Sequence, residues 1–90
     1  MHDWTLLSIV FDWKTGKVIL SCRNLDSQLV SIVGENVTDL HVPRVREWDP
    51  SVSINEVHGP IDMAGTKQLT IEMQSGDVIT ISASSFVIPI

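Results

Sequence analysis

Residues 68–83 alternate apolar and polar side chains on both sides of one tight turn, and this alternation constrains the fold more than any other part of the chain. Successive side chains of a strand point to opposite faces, so two such runs around a turn predict an antiparallel hairpin. One face is predicted to be buried and carries Leu69, Ile71, Met73, Ile79, Ile81 and Ala83. The other is predicted to face water and carries Gln68, Thr70, Glu72, Thr80 and Ser82.

A second hairpin is predicted over residues 5–23, with its turn at residues 14–16. Its first strand, residues 5–13, places Leu7, Ile9, Phe11 and Trp13 on one face, and its second places Val18, Leu20 and Cys22 on one face. The pattern predicts further strands at residues 28–33, 37–42 and 51–57, a bend at 34–36, a turn-rich connection at 58–67 and a final edge segment at 86–90.

These segments predict one all-β domain over residues 1–90. About seven short strands, with little or no helix, indicate a small antiparallel sandwich, roll or partly open barrel, because a sheet with one apolar face must pack that face against another. With 43% hydrophobic residues the chain can form such a core without a metal or disulfide. Cys22 is the one cysteine, which excludes an intrachain disulfide and suits a reducing compartment.

The charge balance narrows the class of partner. Six basic and eleven acidic residues give a net charge of −5, which disfavours binding to nucleic acid or anionic lipid through phosphate groups and suits a basic protein partner. The chain contains neither an apolar run long enough to span a membrane nor a secretion-signal pattern at its start, so we expect a cytoplasmic protein.

Recognised catalytic, cofactor and metal-binding patterns are absent from the sequence. The three histidines are widely separated, and His41 is expected to face solvent on its strand. Cys22 has no basic neighbour on its face of the strand that would lower its thiol pKa. A ligand-binding or acid–base site could form from His2, Asp3, His58 and Asp62 only if the fold brings these residues together.

The chain is unusual in having three tryptophans but no tyrosine and only two phenylalanines. Trp13 is expected in the core, whereas Trp4 could belong to the core or to a contact surface. Trp48 lies in a predicted surface loop, residues 44–51, among four charged residues. This loop is the candidate partner-binding segment and contains Arg44, Arg46, Glu47, Trp48 and Asp49. The alternative is that Trp48 fills the end of the sandwich while the charges pair with one another.

Six short segments carry a resemblance over most of the chain. They are HDW at 2–4, DW at 12–13, VPR at 42–44, EWDPS at 47–51, SIN at 53–55 and EMQSGD at 72–77. In these the chain resembles short uncharacterised bacterial all-β proteins. Through His2, Asp3 and the strand order it also resembles the immunity proteins of polymorphic toxin systems, of the immunity protein 50 type. That resemblance implies an antitoxin that blocks a partner toxin and catalyses nothing.

Three functions are therefore open at the level of sequence. We expect a non-enzymatic protein-interaction domain, of the immunity type if the resemblance is correct. The second is a small-ligand-binding or hydrolytic domain with its site near His2, Asp3, His58 and Asp62. The third is a structural homodimer that covers the apolar C-terminal segment, which contains Phe86, Val87, Ile88 and Ile90.

Overall fold

A computed structural model describes residues 1–45 and 52–89. In these residues every regular element is a strand, and the eight strands are β1 (Thr5–Asp12), β2 (Lys17–Arg23), β3 (Leu29–Glu35), β4 (Asp39–His41), β5 (Ile54–Met63), β6 (Thr66–Met73), β7 (Val78–Ala83) and β8 (Ser85–Val87). The described part of the chain has no helix long and apolar enough to cross a membrane.

The strands form two antiparallel sheets of four. The first has the order β1-β2-β3-β8 and the second β4-β7-β6-β5. Both predicted hairpins are present, as β1–β2 and as β6–β7. The prediction of a small antiparallel all-β fold is confirmed, with eight strands where about seven were predicted.

The core lies between the inner faces of the two sheets. In the first sheet the buried side chains alternate along β2, as Val18, Leu20 and Cys22, and continue with Ile32 of β3. The second sheet buries the predicted apolar face of its hairpin, with Leu69, Ile71, Met73, Ile79, Ile81 and Ala83 at 6% exposure or less. The opposite face of that hairpin is half-buried rather than fully exposed.

A β-bulge in β1 changes which of its side chains reach the core. The pairing passes from Leu6↔Cys22 to Ser8↔Ser21, so that Leu7 is the extra residue. Leu6 therefore packs against the core together with Ile9 and Phe11, while Leu7 is 47% exposed. The prediction that Leu7 shares the buried face was wrong, because a strict period of two does not survive an inserted residue.

The prediction of a core position for Trp13 was also wrong. Strand β1 ends at Asp12, and Trp13 lies in the turn that follows, with 87% of its surface exposed. Its ring meets Phe11 edge to face, with 6.0 Å between the ring centroids. Trp4, for which both positions were open, is half-buried and packs against the core.

Strand β5 is longer than predicted. It continues through the expected turn-rich segment and pairs with β6 as far as Met63↔Thr66. The register shifts between His58 and Ile61, at Gly59 and a cis Pro60, so pairing persists although the alternation fails. Proline is tolerated here because β5 is an edge strand and its outer amides need no ladder partner.

The chain changes sheets between β7 and β8, with Ser84 alone between them. Strand β8 then pairs with β3 through Val33↔Val87 and Gly34↔Phe86, and it forms the predicted sheet edge. Gly34 therefore belongs to β3 and not to a bend. Strand β4, predicted over residues 37–42, is shorter and ends two residues before Pro43.

Candidate functional site

A cleft of about 360 Å³ lies where the bulged part of β1 faces the β6–β7 turn. We call it the Arg44 cleft. Its walls are mostly apolar and come from Leu6, Leu7, Ile9, Val42, Pro43, Val52, Met73 and Ile79. Its polar lining residues are Ser8, Arg44, Ser75 and Asp77. The cleft thus combines an apolar floor with few polar groups, as binding sites commonly do.

Four aliphatic side chains remain exposed at the cleft or directly beside it. Leu7 is exposed because of the bulge in β1, and Val42, Val45 and Val52 belong to the described parts of the segment that joins β4 to β5. Their exposed fractions are 47%, 43%, 79% and 58%, respectively. We call these four residues the cleft rim. Exposed apolar side chains grouped around a cleft are typical of a contact surface for another molecule.

Asp77 ties the segment beside Arg44 to the β6–β7 turn. The residue is 6% exposed, and its carboxylate accepts hydrogen bonds from the Ser75 hydroxyl at 2.9 Å and from the Val45 amide at 3.4 Å. The turn itself is closed by the Met73 amide, which donates to the Asp77 carbonyl at 2.8 Å. Asp77 therefore positions Val45 and is a fixed acidic group in the cleft wall.

Sequence reasoning missed Asp77. The letters SGD at residues 75–77 predict a turn, and turn aspartates ordinarily face solvent. The available signal was the spacing Ser75-x-Asp77, which lets the serine hydroxyl reach the carboxylate two residues later. The amide that completes the site comes from Val45, which is distant in sequence.

The predicted partner-binding loop begins at this cleft. Arg44 is exposed and lines it. The other predicted contact residues, Arg46, Glu47, Trp48 and Asp49, lie outside the described residues, so the choice between core and contact for Trp48 stays a prediction.

Within the second predicted group, the structure pairs His2 with Asp3 and gives His58 and Asp62 partners outside the group. His2 Nε2 lies 3.3 Å from Asp3 Oδ2, and His2 Nδ1 lies 2.6 Å from the Asn55 carbonyl oxygen. His58 Nε2 lies 3.2 Å from Glu56 Oε2.

Each of the two acidic residues of this group also accepts a hydrogen bond from a residue outside it. Asp62 accepts a hydrogen bond from Lys67 Nζ at 2.9 Å, and Asp3 accepts one from the Gln74 amide. All of these pairs are at exposed positions, where such interactions contribute little to stability.

A second cleft, of about 480 Å³, lies beside the start of the chain. It is lined by Met1, His2, Asn55, Glu56, Val57, Gly59 and Ile88. Of the four residues predicted as a ligand site, His2 is the one that lines it. Among the described residues no three His, Cys, Asp or Glu side chains come close enough to hold a metal ion.

Cys22 and His41 occupy the positions expected for them. Burial raises the pKa of the Cys22 thiol, and the residue lies in the core between the sheets. A protonated, buried thiol is a poor nucleophile. His41 is exposed at the end of β4.

Comparison with known proteins identifies the fold alone. No protein-family model matches the chain, and no curated protein matches it. The crystal structure of an uncharacterised protein from Neisseria gonorrhoeae is similar, with a TM-score of 0.69 and 16% sequence identity. The similarity covers 100% of this chain and 94% of that one. Two chains of such different sequence therefore share this arrangement of strands.

Proposed function

We propose that this protein is a non-enzymatic, cytoplasmic interaction domain that binds a protein partner through the Arg44 cleft and its rim. The observation that carries the proposal is the grouping of exposed Leu7, Val42, Val45 and Val52 around an apolar cleft. Such side chains lose unfavourable contact with water when a partner covers them, which supplies most of the free energy of a protein interface.

The net charge of −5 supports a basic partner. Charges of opposite sign raise the rate of encounter, whereas apolar side chains that become buried slow dissociation. Arg44 at the cleft would then select a partner with an acidic or hydrogen-bond-accepting group at one position within an otherwise basic surface. Binding should therefore weaken as salt screens the long-range attraction.

The geometry at Val45 supports a preformed surface. Its amide is tied to Asp77, whose carboxylate is itself held by Ser75. A contact residue that is already positioned loses less conformational entropy when a partner binds.

A single substitution tests the site. Val45→Asp replaces an exposed apolar side chain of the cleft rim by a charge, and Leu25→Asp makes the same change in the β2–β3 turn, where Leu25 is 71% exposed. Tagged wild type and both variants are used to capture proteins from a lysate of the native host, with mass spectrometry as the readout. We expect one stoichiometric partner that Leu25→Asp retains and Val45→Asp loses, with unchanged thermal melting. Equal capture by both variants, or none by wild type, would contradict the proposal.

The immunity type is the finer form of the same proposal. It rests on the resemblance carried by His2 and Asp3, which contact each other in the structure. If it is correct, co-expression with the product of a neighbouring toxin gene should restore growth of the host cell. Val45→Asp should abolish that protection and Leu25→Asp should preserve it. Failure of protection together with a captured partner would reject the immunity type and keep the interaction domain.

A further inference from the structure

Four β-branched aliphatic residues form a row across the outer face of the first sheet. Val10 of β1 pairs with Ile19 of β2, Ile19 pairs with Val33 of β3, and Val33 pairs with Val87 of β8. We call these residues the aliphatic row. It crosses all four strands in register, and it points away from the core because Val18 and Leu20, the neighbours of Ile19, point inward.

The row is open to solvent in the part of the chain that the structure describes. Val10 and Val87 at its ends are 57% and 62% exposed, and Ile19 and Val33 are half-buried by their neighbours. On one side of it lies a row of serines, Ser8, Ser21 and Ser31. These small side chains allow a second surface to approach closely.

On its other side the aliphatic row is bordered by charges. Asp12 of β1 pairs with Lys17 of β2. Because Val18 of β2 pairs with Gly34 of β3, the next position in the same register places Glu35 beside Lys17. This border therefore carries both signs of charge on the two central strands. A surface of the same pattern, suitably turned, would meet Lys17 with a glutamate and Glu35 with a lysine.

We propose that a second copy of this chain covers the aliphatic row, related by a two-fold axis that runs parallel to the strands between β2 and β3. Such an axis lays β2 of one copy over β3 of the other, and it places the aliphatic rows of the two copies opposite each other. Ile19 then meets Val33 of the second copy, and Lys17 meets Glu35 of the second copy. Each contact occurs twice, as two-fold symmetry requires.

The dimensions fit a weak dimer. Stacked sheets pack about 10 Å apart with their strands within about 30° of alignment, a spacing that aliphatic side chains fill. Four strands spaced about 4.8 Å apart give a contact about 19 Å wide, which is at the small end of protein interfaces. The dimer should therefore form at high protein concentration and dissociate on dilution.

Charge reversal tests the proposed geometry. By sedimentation equilibrium from about 10 µM to about 1 mM, we expect wild type to show a monomer–dimer equilibrium. Lys17→Glu places two acidic pairs at the contact and Glu35→Lys two basic pairs, and each should raise the dissociation constant at least about tenfold. A 1:1 mixture of the two variants should dimerise again, because every charge then meets its opposite on the other chain. Lys67→Glu makes the same charge change on the second sheet and should leave the equilibrium unchanged.

A nearly isosteric change tests the apolar part. Val33→Thr keeps the branched shape and should weaken the dimer about fivefold or more, whereas Val78→Thr, on the second sheet, should not. Circular dichroism melting verifies that each variant is folded. A wild type that stays monomeric at 1 mM, a dimer indifferent to Val33→Thr, or a mixture no tighter than the separate variants would overturn the proposal. In the case of a monomeric wild type, the aliphatic row would instead be a contact surface for a different protein.

Discussion

Gly34 allows the last strand to lie close to the third. A Cβ at this position would lie 2.9 Å from Val18 Cγ1 and 3.0 Å from Phe86 Cε1, which is closer than carbon atoms tolerate. We therefore expect Gly34→Ala to reduce the free energy of unfolding by about 1–3 kcal/mol through overpacking, as measured by urea denaturation.

Phe86→Leu provides the control for this prediction. The shorter side chain removes ring atoms above Gly34, so part of the loss should be recovered when both substitutions are combined. Strictly additive losses would show that the contact between residues 34 and 86 is not the cause.

Asp77 is expected to act as a structural tie. Its removal in Asp77→Ala leaves the Val45 amide and the Ser75 hydroxyl without their acceptor and should cost about 1–3 kcal/mol of unfolding free energy. Asp77→Asn keeps a carbonyl acceptor and should cost less. Hydrogen exchange of the Val45 amide should quicken in the alanine variant, and an unchanged rate would argue against the tie.

The thiol of Cys22 reports on opening of the core. Burial raises its pKa above the ordinary value of 9.0. The unfolded chain therefore ionises first, so that this group favours unfolding as the pH rises past 9.0 and has no effect on stability well below it. We expect Ellman's reagent to modify Cys22 only at the rate of opening at neutral pH, and rapid stoichiometric modification of the folded protein would contradict its burial.

Among the strands, β1 contains one inserted residue that decides which of its side chains face the core. Leu6 packs against the core and Leu7 lies at the Arg44 cleft. We expect Leu6→Asn to cost about 3 kcal/mol or more, because a polar group replaces a packed apolar one. Leu7→Asn should change stability by less than about 0.5 kcal/mol. An equal fall in melting temperature for the two variants would contradict the exposed position of Leu7 at the bulge.

The elements that the sequence predicts well are those with local pairing. The β1–β2 and β6–β7 hairpins combine alternation with a short turn, so both partners and their register are visible within about twenty residues. The buried sets Val18–Leu20–Cys22 and Leu69–Ile71–Met73 follow directly from this periodicity.

The elements that the sequence predicts poorly depend on irregular or distant pairing. Strand β5 keeps its ladder through a bulge at Gly59 and Pro60, two residues that signal a turn when seen in isolation. Pairing of β8 with β3 joins segments about fifty residues apart, and no local pattern specifies it. The Arg44 cleft is likewise assembled from separate segments, so only Arg44 could be anticipated.

Across the whole molecule, the two sheets are joined at one side by the start of the chain. The Asp3 amide donates a hydrogen bond to the Ile54 carbonyl oxygen at 2.8 Å, and the Leu6 amide donates one to the Val52 carbonyl oxygen at 2.7 Å. Between them, Thr5 and Ser53 form an antiparallel β-bridge. The first residues therefore belong to the hydrogen-bonded framework.

Hydrogen exchange should reveal this connection. We expect the amides of Asp3, Leu6 and Ile54 to exchange about as slowly as those of β2, because opening them requires the sheets to separate. The amide of Leu25, in an exposed turn, should exchange quickly and serves as the reference. Rapid exchange at Asp3 and Leu6 would contradict this expectation. It would mean that these hydrogen bonds open readily and that core packing alone holds the two sheets together.

The position of β8 has a consequence for the order of events during synthesis. The first sheet gains its fourth strand from residues 85–87, although its other three strands are complete by residue 35. Until residues 85–87 leave the ribosome, β3 presents an unpaired edge to the crowded cell, and such edges invite aggregation. A nascent chain of this protein therefore carries an unfinished first sheet throughout the synthesis of residues 36–84.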